Sequence, residues 1–97
     1  MEYKVREGIA LLDVCGTHFL APTHKAFEAC PNITRITFLD VIFWKKLSEG
    51  AKVEDLCEFY ATLSFKQPEE VRPKVESRLE RLSEQGFLIP FDDPVFF

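Results

Sequence analysis

Apolar positions change period along the chain, and each change marks an element. Residues 9–14 form a short apolar run that stops at Cys15-Gly16-Thr17, a sequence suited to a tight turn, and residues 18–21 make the returning strand of a hairpin. Pro22 lacks the amide proton a continuing ladder needs and ends that strand, so residues 22–32 read as loop. Ile33-Thr34-Arg35-Ile36 follows as a third strand rich in β-branched residues.

The period then becomes helical. Thr37 and Asp40 match a capping-box pattern that opens a first helix over 38–48. Phe38, Leu39, Val41, Ile42, Phe43, Trp44 and Leu47 leave it apolar on nearly every side, as expected of a helix held between a sheet and other helices, and Phe38, Phe43 and Trp44 read as core. Glu49-Gly50 closes it. A second helix over 53–64 carries Val53, Leu56, Cys57, Tyr60 and Leu63 on one stripe. A third, over about 69–85, turns Val71, Val75, Leu79 and Leu82 inward and stops at Gly86. Pro73 requires either a start nearer Arg72 or a kinked first turn. Residues 87–89 return toward the core. The expected fold class is α+β, a three-stranded antiparallel sheet followed by three helices, in one domain over residues 1–90 with an aromatic tail over 91–97.

Composition narrows the function. A chain of 97 residues buries only roughly 60–65% of its unfolded surface, enough for one core and too little for a separate cofactor domain. With 46% hydrophobic residues and ten Phe it is far too apolar for a disordered segment. Its net charge is −4, and the excess acid lies in residues 51–97, which argues against a polyanionic partner. Three cysteines, Cys15, Cys30 and Cys57, form an odd set without a CxxC pair, which points to a reducing compartment. No segment approaches the ~20 apolar residues that span a bilayer, and Met1-Glu2-Tyr3-Lys4 does not lead into an apolar signal stretch, so a cytoplasmic location and no membrane partner are expected.

Cys15, His18, His24 and Cys30 superficially form a four-ligand zinc series, but strand alternation separates the side chains and paired spacing is absent. A Cys-His nucleophile lacks a third orienting group and an oxyanion site. No metal, no cofactor and no catalysis are therefore expected.

Residues 14–22, Val-Cys-Gly-Thr-His-Phe-Leu-Ala-Pro, look like the hairpin of PqqD-like proteins. Ile36-Thr37 stands where that family usually has Leu-Asn, Phe43-Trp44 is similar to its Ile-Trp pair, and Leu82-Ser83-Glu84-Gln85-Gly86-Phe87-Leu88 resembles its closing Leu-x-x-x-Gly-Leu-Leu. The resemblance spans about residues 5–89 and departs at Thr37 and at Lys74, near a position where relatives often carry Asp. It implies a winged-helix-like RiPP recognition element. Such a domain holds the leader of a ribosomally made precursor peptide by β-strand addition and presents it to a modifying enzyme, often a radical S-adenosylmethionine protein.

On that reading the peptide pairs with the open edge of the third strand at Ile33, Thr34, Arg35 and Ile36. Lys74, Arg78 and Arg81 form a basic stripe on the third helix that suits acidic leaders, and Val75, Leu79 and Leu82, core residues first, offer groove-side edges. Two other readings stand beside it. One is a DNA-binding regulator using Arg72, Lys74, Arg78 and Arg81, which Glu69, Glu70, Glu76, Glu80 and Glu84 on the same helix oppose. The other is a structural domain that forms a homodimer through the third-strand edge. The aromatic tail, Phe91 to Phe97, either docks on a partner, forms a disordered end or folds back on the core.

Overall fold

The described residues of the computed structural model, 2–23, 26–29 and 32–92, form two antiparallel sheets and four helices. In order these are β1 (Glu2–Val5), β2 (Ile9–Val14), β3 (Thr17–Pro22), α1 (Ala26–Ala29), β4 (Thr34–Ile36), α2 (Phe38–Ser48), α3 (Val53–Ser64), α4 (Pro68–Glu84) and β5 (Leu88–Phe91). The β2-β3-β4 sheet followed by α2, α3 and α4 is the expected α+β arrangement. The expected third strand is β4 and the expected third helix is α4.

The hairpin follows from its turn. Val14 lies opposite Thr17, which leaves Cys15 and Gly16 as a two-residue loop. Both have positive φ, 53° and 81°, the combination whose twist matches that of the flanking strands. The Asp13 carboxylate accepts from the Gly16 N–H at 3.1 Å and closes the turn. Cross-strand rows then separate the two faces of the sheet. Leu20 and Ile36 point into the core, where they meet α2, α3 and α4, while Leu12 and Arg35 point outward.

α2 and α3 have the expected limits. α4 begins one residue earlier than expected, with Pro68 in its first turn, and runs through Pro73 to Glu84. Neither a delayed start nor an interruption results, because the missing bond to the Glu69 carbonyl lies at an exposed position that water can reach. At the other end Gly86 N–H donates to the Ser83 carbonyl and Phe87 N–H to the Leu82 carbonyl, each at 3.0 Å, with Gly86 at φ 91°. This paired closure is the left-handed stop read from the sequence.

Several elements depart from expectation. β1 and β5 pair as a second sheet, Glu2 opposite Phe91 and Val5 opposite Leu88, so Phe91 ends a strand and does not open a tail; residues 93–97 lie outside the described residues. The Glu2 carboxylate accepts from Val53 N–H at 2.8 Å and satisfies a first-turn amide of α3. Within the presumed loop, α1 seats Ala26 against Gly8, whose φ is 83° and where an added Cβ would stand 3.1 Å from that of Ala26. Ile33 falls just outside β4. Phe38, read as core, is 66% exposed because it is the first residue of α2, ahead of the turn that enters the core. Leu63 is also exposed, and Ala61 takes the inward position on α3. Among the described residues no helix is long and apolar enough to cross a membrane.

Phe65, after α3, combines a left-handed backbone (φ 56°, ψ 40°) with a side chain 96% exposed. A bulky residue is disfavoured there and gains little burial in return. Phe65→Gly should therefore stabilise the chain by about 1 kcal/mol, raising its midpoint in thermal or urea unfolding. An unchanged or lower midpoint would show that the ring contributes packing.

Candidate functional site

β4 is three residues long and, among the described residues, pairs on one side only: Ile36 with His18, Arg35 with Phe19 and Thr34 with Leu20. Alternate residues of a strand send their N–H and C=O to opposite sides, so part of the β4 backbone faces away from β3 with no strand to receive it. Such edges are usually guarded by charge. Here Arg35 is the one charged residue of β4, and the strand is bracketed by two large apolar side chains, Ile33 (65% exposed) and Phe38 (66% exposed). The Phe38 ring lies 6.0 Å from that of His18 in a tilted contact, which turns the start of α2 toward the sheet.

The junction after β4 is tightly organised. Thr37 Oγ1 accepts from Asp40 N–H and Asp40 Oδ2 accepts from Thr37 N–H, both at 3.2 Å, which realises the capping box. Arg78, from the middle of α4, donates through Nη1 to Thr37 Oγ1 and to Asp40 Oδ1, both at 3.2 Å. Asp40 is buried, so this contact is a partly desolvated ion pair that ties α4 to the end of β4.

Along the same side of α4, Lys74, Ser77, Arg78 and Arg81 line a shallow depression of about 230 Å³. Lys74 Nζ lies 5.2 Å from the Tyr60 ring centroid. A hydrogen bond to Lys74, outweighing burial, holds the Tyr60 hydroxyl below its ordinary pKa. The depression opens beside Thr37, because Arg78 both lines it and reaches that residue.

The residues proposed from sequence thus fall into two groups. Thr34, Arg35 and Ile33 lie at the open edge, and Lys74, Arg78 and Arg81 line the depression. The side chains of Ile36, Val75, Leu79 and Leu82 are buried in the core, Val75 and Leu79 completely, so Val75, Leu79 and Leu82 are corrected as groove-side contacts, while Ile36 can meet a ligand only through its backbone. Phe38 and Ser77 were missed as site residues. For Phe38 the signal was its place immediately after the capping Thr37, where a side chain lies outside the first full turn.

Of the metal-like series, His24 and Cys30 lie outside the described residues, Cys15 is exposed in the hairpin turn, and His18 is half-buried on β3. Burial pushes the Cys57 thiol above its ordinary pKa. A larger hollow, lined by Lys4, Val5, Arg6, Glu7, Ala26 and Ile89, lies beside the second sheet, away from β4.

No family profile matches the chain, and no curated protein and no solved structure matches it significantly.

Two outcomes test this geometry. Arg78→Met keeps the alkyl stem but leaves Asp40 buried without its cation, and should cost about 2 kcal/mol; Thr37→Ala should cost about 1 kcal/mol. In urea unfolding the double variant should lose less than the sum of the two, because both act on one network. Full additivity would show that Arg78 and Thr37 act independently. For the thiols, a maleimide at neutral pH should label Cys15 in the folded chain and Cys57 only after unfolding; rapid labelling of native Cys57 would contradict its burial.

Proposed function

We propose that this chain is a non-catalytic peptide-binding module. It takes up an extended leader segment of a ribosomally made precursor as an additional strand on β4, and presents it to a modifying enzyme. The observation that carries the reading is the open β4 edge, bracketed by the exposed Ile33 and Phe38 and flanked by the Lys74, Arg78 and Arg81 side of α4. Backbone pairing supplies a generic hold, and side chains on either side of the strand supply selection. The resemblance to PqqD-like proteins makes a radical S-adenosylmethionine enzyme the expected recipient. The free thiols of Cys15 and Cys57 suit a cytoplasmic setting.

Nucleic acid is a poorer ligand for the same surface. Arg72 is paired with Glu76 at 3.5 Å and Arg78 with Asp40 at 3.2 Å, so two of the four cations a recognition helix would use already have carboxylate partners. Self-association through β4 is also disfavoured in its symmetric register. A two-fold pairing centred on Arg35 would set two guanidinium groups directly opposite each other.

The test uses labelled peptides tiled through the short open reading frames that neighbour the gene. One of them should bind saturably with a Kd near or below about 1 μM, equivalent to about −8 kcal/mol. Amide resonances of Thr34, Arg35 and Ile36 should move in nuclear magnetic resonance titrations, and those whose N–H faces away from β3 should exchange more slowly in the complex. Tight binding that leaves those three amides unmoved would place the ligand elsewhere and end the strand-addition reading.

A further inference from the structure

Resting on the strand-addition reading, we infer that the segment received by β4 is acidic, with two carboxylate side chains an odd number of positions apart. One faces Arg35 on the outer side of the sheet. The other enters the depression lined by Lys74, Ser77, Arg78 and Arg81 on the inner side.

The two faces of the sheet fix this pattern. Leu12, Phe19 and Arg35 form one cross-strand row, and Leu11, Leu20 and Thr34 form the next. Leu20 and Ile36 are buried and Arg35 is exposed, so the row containing Arg35 faces outward. A strand added beside β4 extends both rows, because its side chains alternate between faces with the same period. The side chain that continues the outward row lies next to Arg35, where an opposite charge is favoured and a like charge is not.

The inner row approaches α4 at the end of β4, where Arg78 reaches Thr37 immediately after the strand, and Ile36 lies in the same core as Val75 and Leu79. An inward-facing carboxylate near that end of the strand therefore points toward Arg81 and Lys74, which remain exposed beside the clamped Arg78. Since neighbouring side chains point to opposite faces, the two acids are one or three positions apart and never two.

The charge of the whole chain does not produce this selection. At −4 it repels an acidic peptide at long range, so the preference must arise at these basic groups on contact.

The probe is a phage-displayed library of random linear peptides of about a dozen residues, long enough to overrun β4 at both ends, selected on the full chain. Enriched peptides should carry an Asp or Glu pair at odd spacing, and a synthetic copy should move the amides of Thr34, Arg35 and Ile36. Arg35→Glu and Arg81→Glu change exposed side chains outside the Asp40 network, and each should weaken that peptide about tenfold. Reselection on the Arg35→Glu chain should replace the outward acid by Lys or Arg and keep the inward one. Peptides that move the β4 amides but show no acidic bias, place their acids two apart, or ignore both charge reversals overturn the inference and leave strand addition standing. Selected peptides that leave those amides unmoved, or a selection that yields no binders, overturn strand addition and the inference with it.

Discussion

A single guanidinium fixes how β4, α2 and α4 meet. A three-residue strand makes too few ladder bonds to set the direction of the helix that follows it, and the Thr37–Asp40 capping box acts only within its own turn. Arg78 connects that local motif to a helix about 40 positions later in the chain, through one nitrogen shared between a hydroxyl and a carboxylate. Ion pairs of this kind add little net stability when both partners are present, since desolvation offsets the attraction, but removing either partner leaves a buried group uncompensated. Its main effect is therefore geometric: it holds α4 at a fixed distance from the open edge and leaves the neighbouring Lys74 and Arg81 exposed on the same side.

The elements legible in the sequence were those whose signals are local. Cys15-Gly16 marked the turn, Thr37 and Asp40 marked the start of α2, and Gly86 marked the end of α4, because each of these features is decided within a few residues. β1 and β5 are not legible in the sequence because neither four-residue strand carries a clear pattern alone, and they find each other only when α4 returns the chain to its beginning. Pro90 reads as a breaker but is tolerated in β5, which among the described residues has a single partner strand.

The candidate site was half legible for the same reason. Periodicity placed Lys74, Arg78 and Arg81 on one stripe of α4, but spacing cannot say that Arg78 is engaged by Asp40 while Lys74 and Arg81 line an open depression. Nor could it separate Phe38 from Phe43. Both belong to an almost wholly apolar helix, and only the point at which α2 enters the core exposes the first and buries the second. Val75, Leu79 and Leu82 show the converse: the stripe that sequence offered to a ligand is fully used in the core, where α4 packs chiefly on α3 and β5.

Simple energetics shows where selection at such an edge must reside. Two or three backbone hydrogen bonds to β4 contribute about 0.5–1.5 kcal/mol each, while ordering each residue of a flexible peptide costs about 1–2 kcal/mol. Backbone pairing alone therefore comes out near or below zero, and any extended chain would gain equally from it. The surplus needed for micromolar binding has to come from side chains. Ile33 and Phe38 retain most of their accessible surface for that purpose, and covering an apolar side chain of this size is worth about 1.5–3 kcal/mol when complete. Because these anchors lie at either end of the strand, a segment must span β4 to reach both. Length and spacing thus become part of the recognition, and the shortness of β4 favours a particular sequence over extended polypeptide in general.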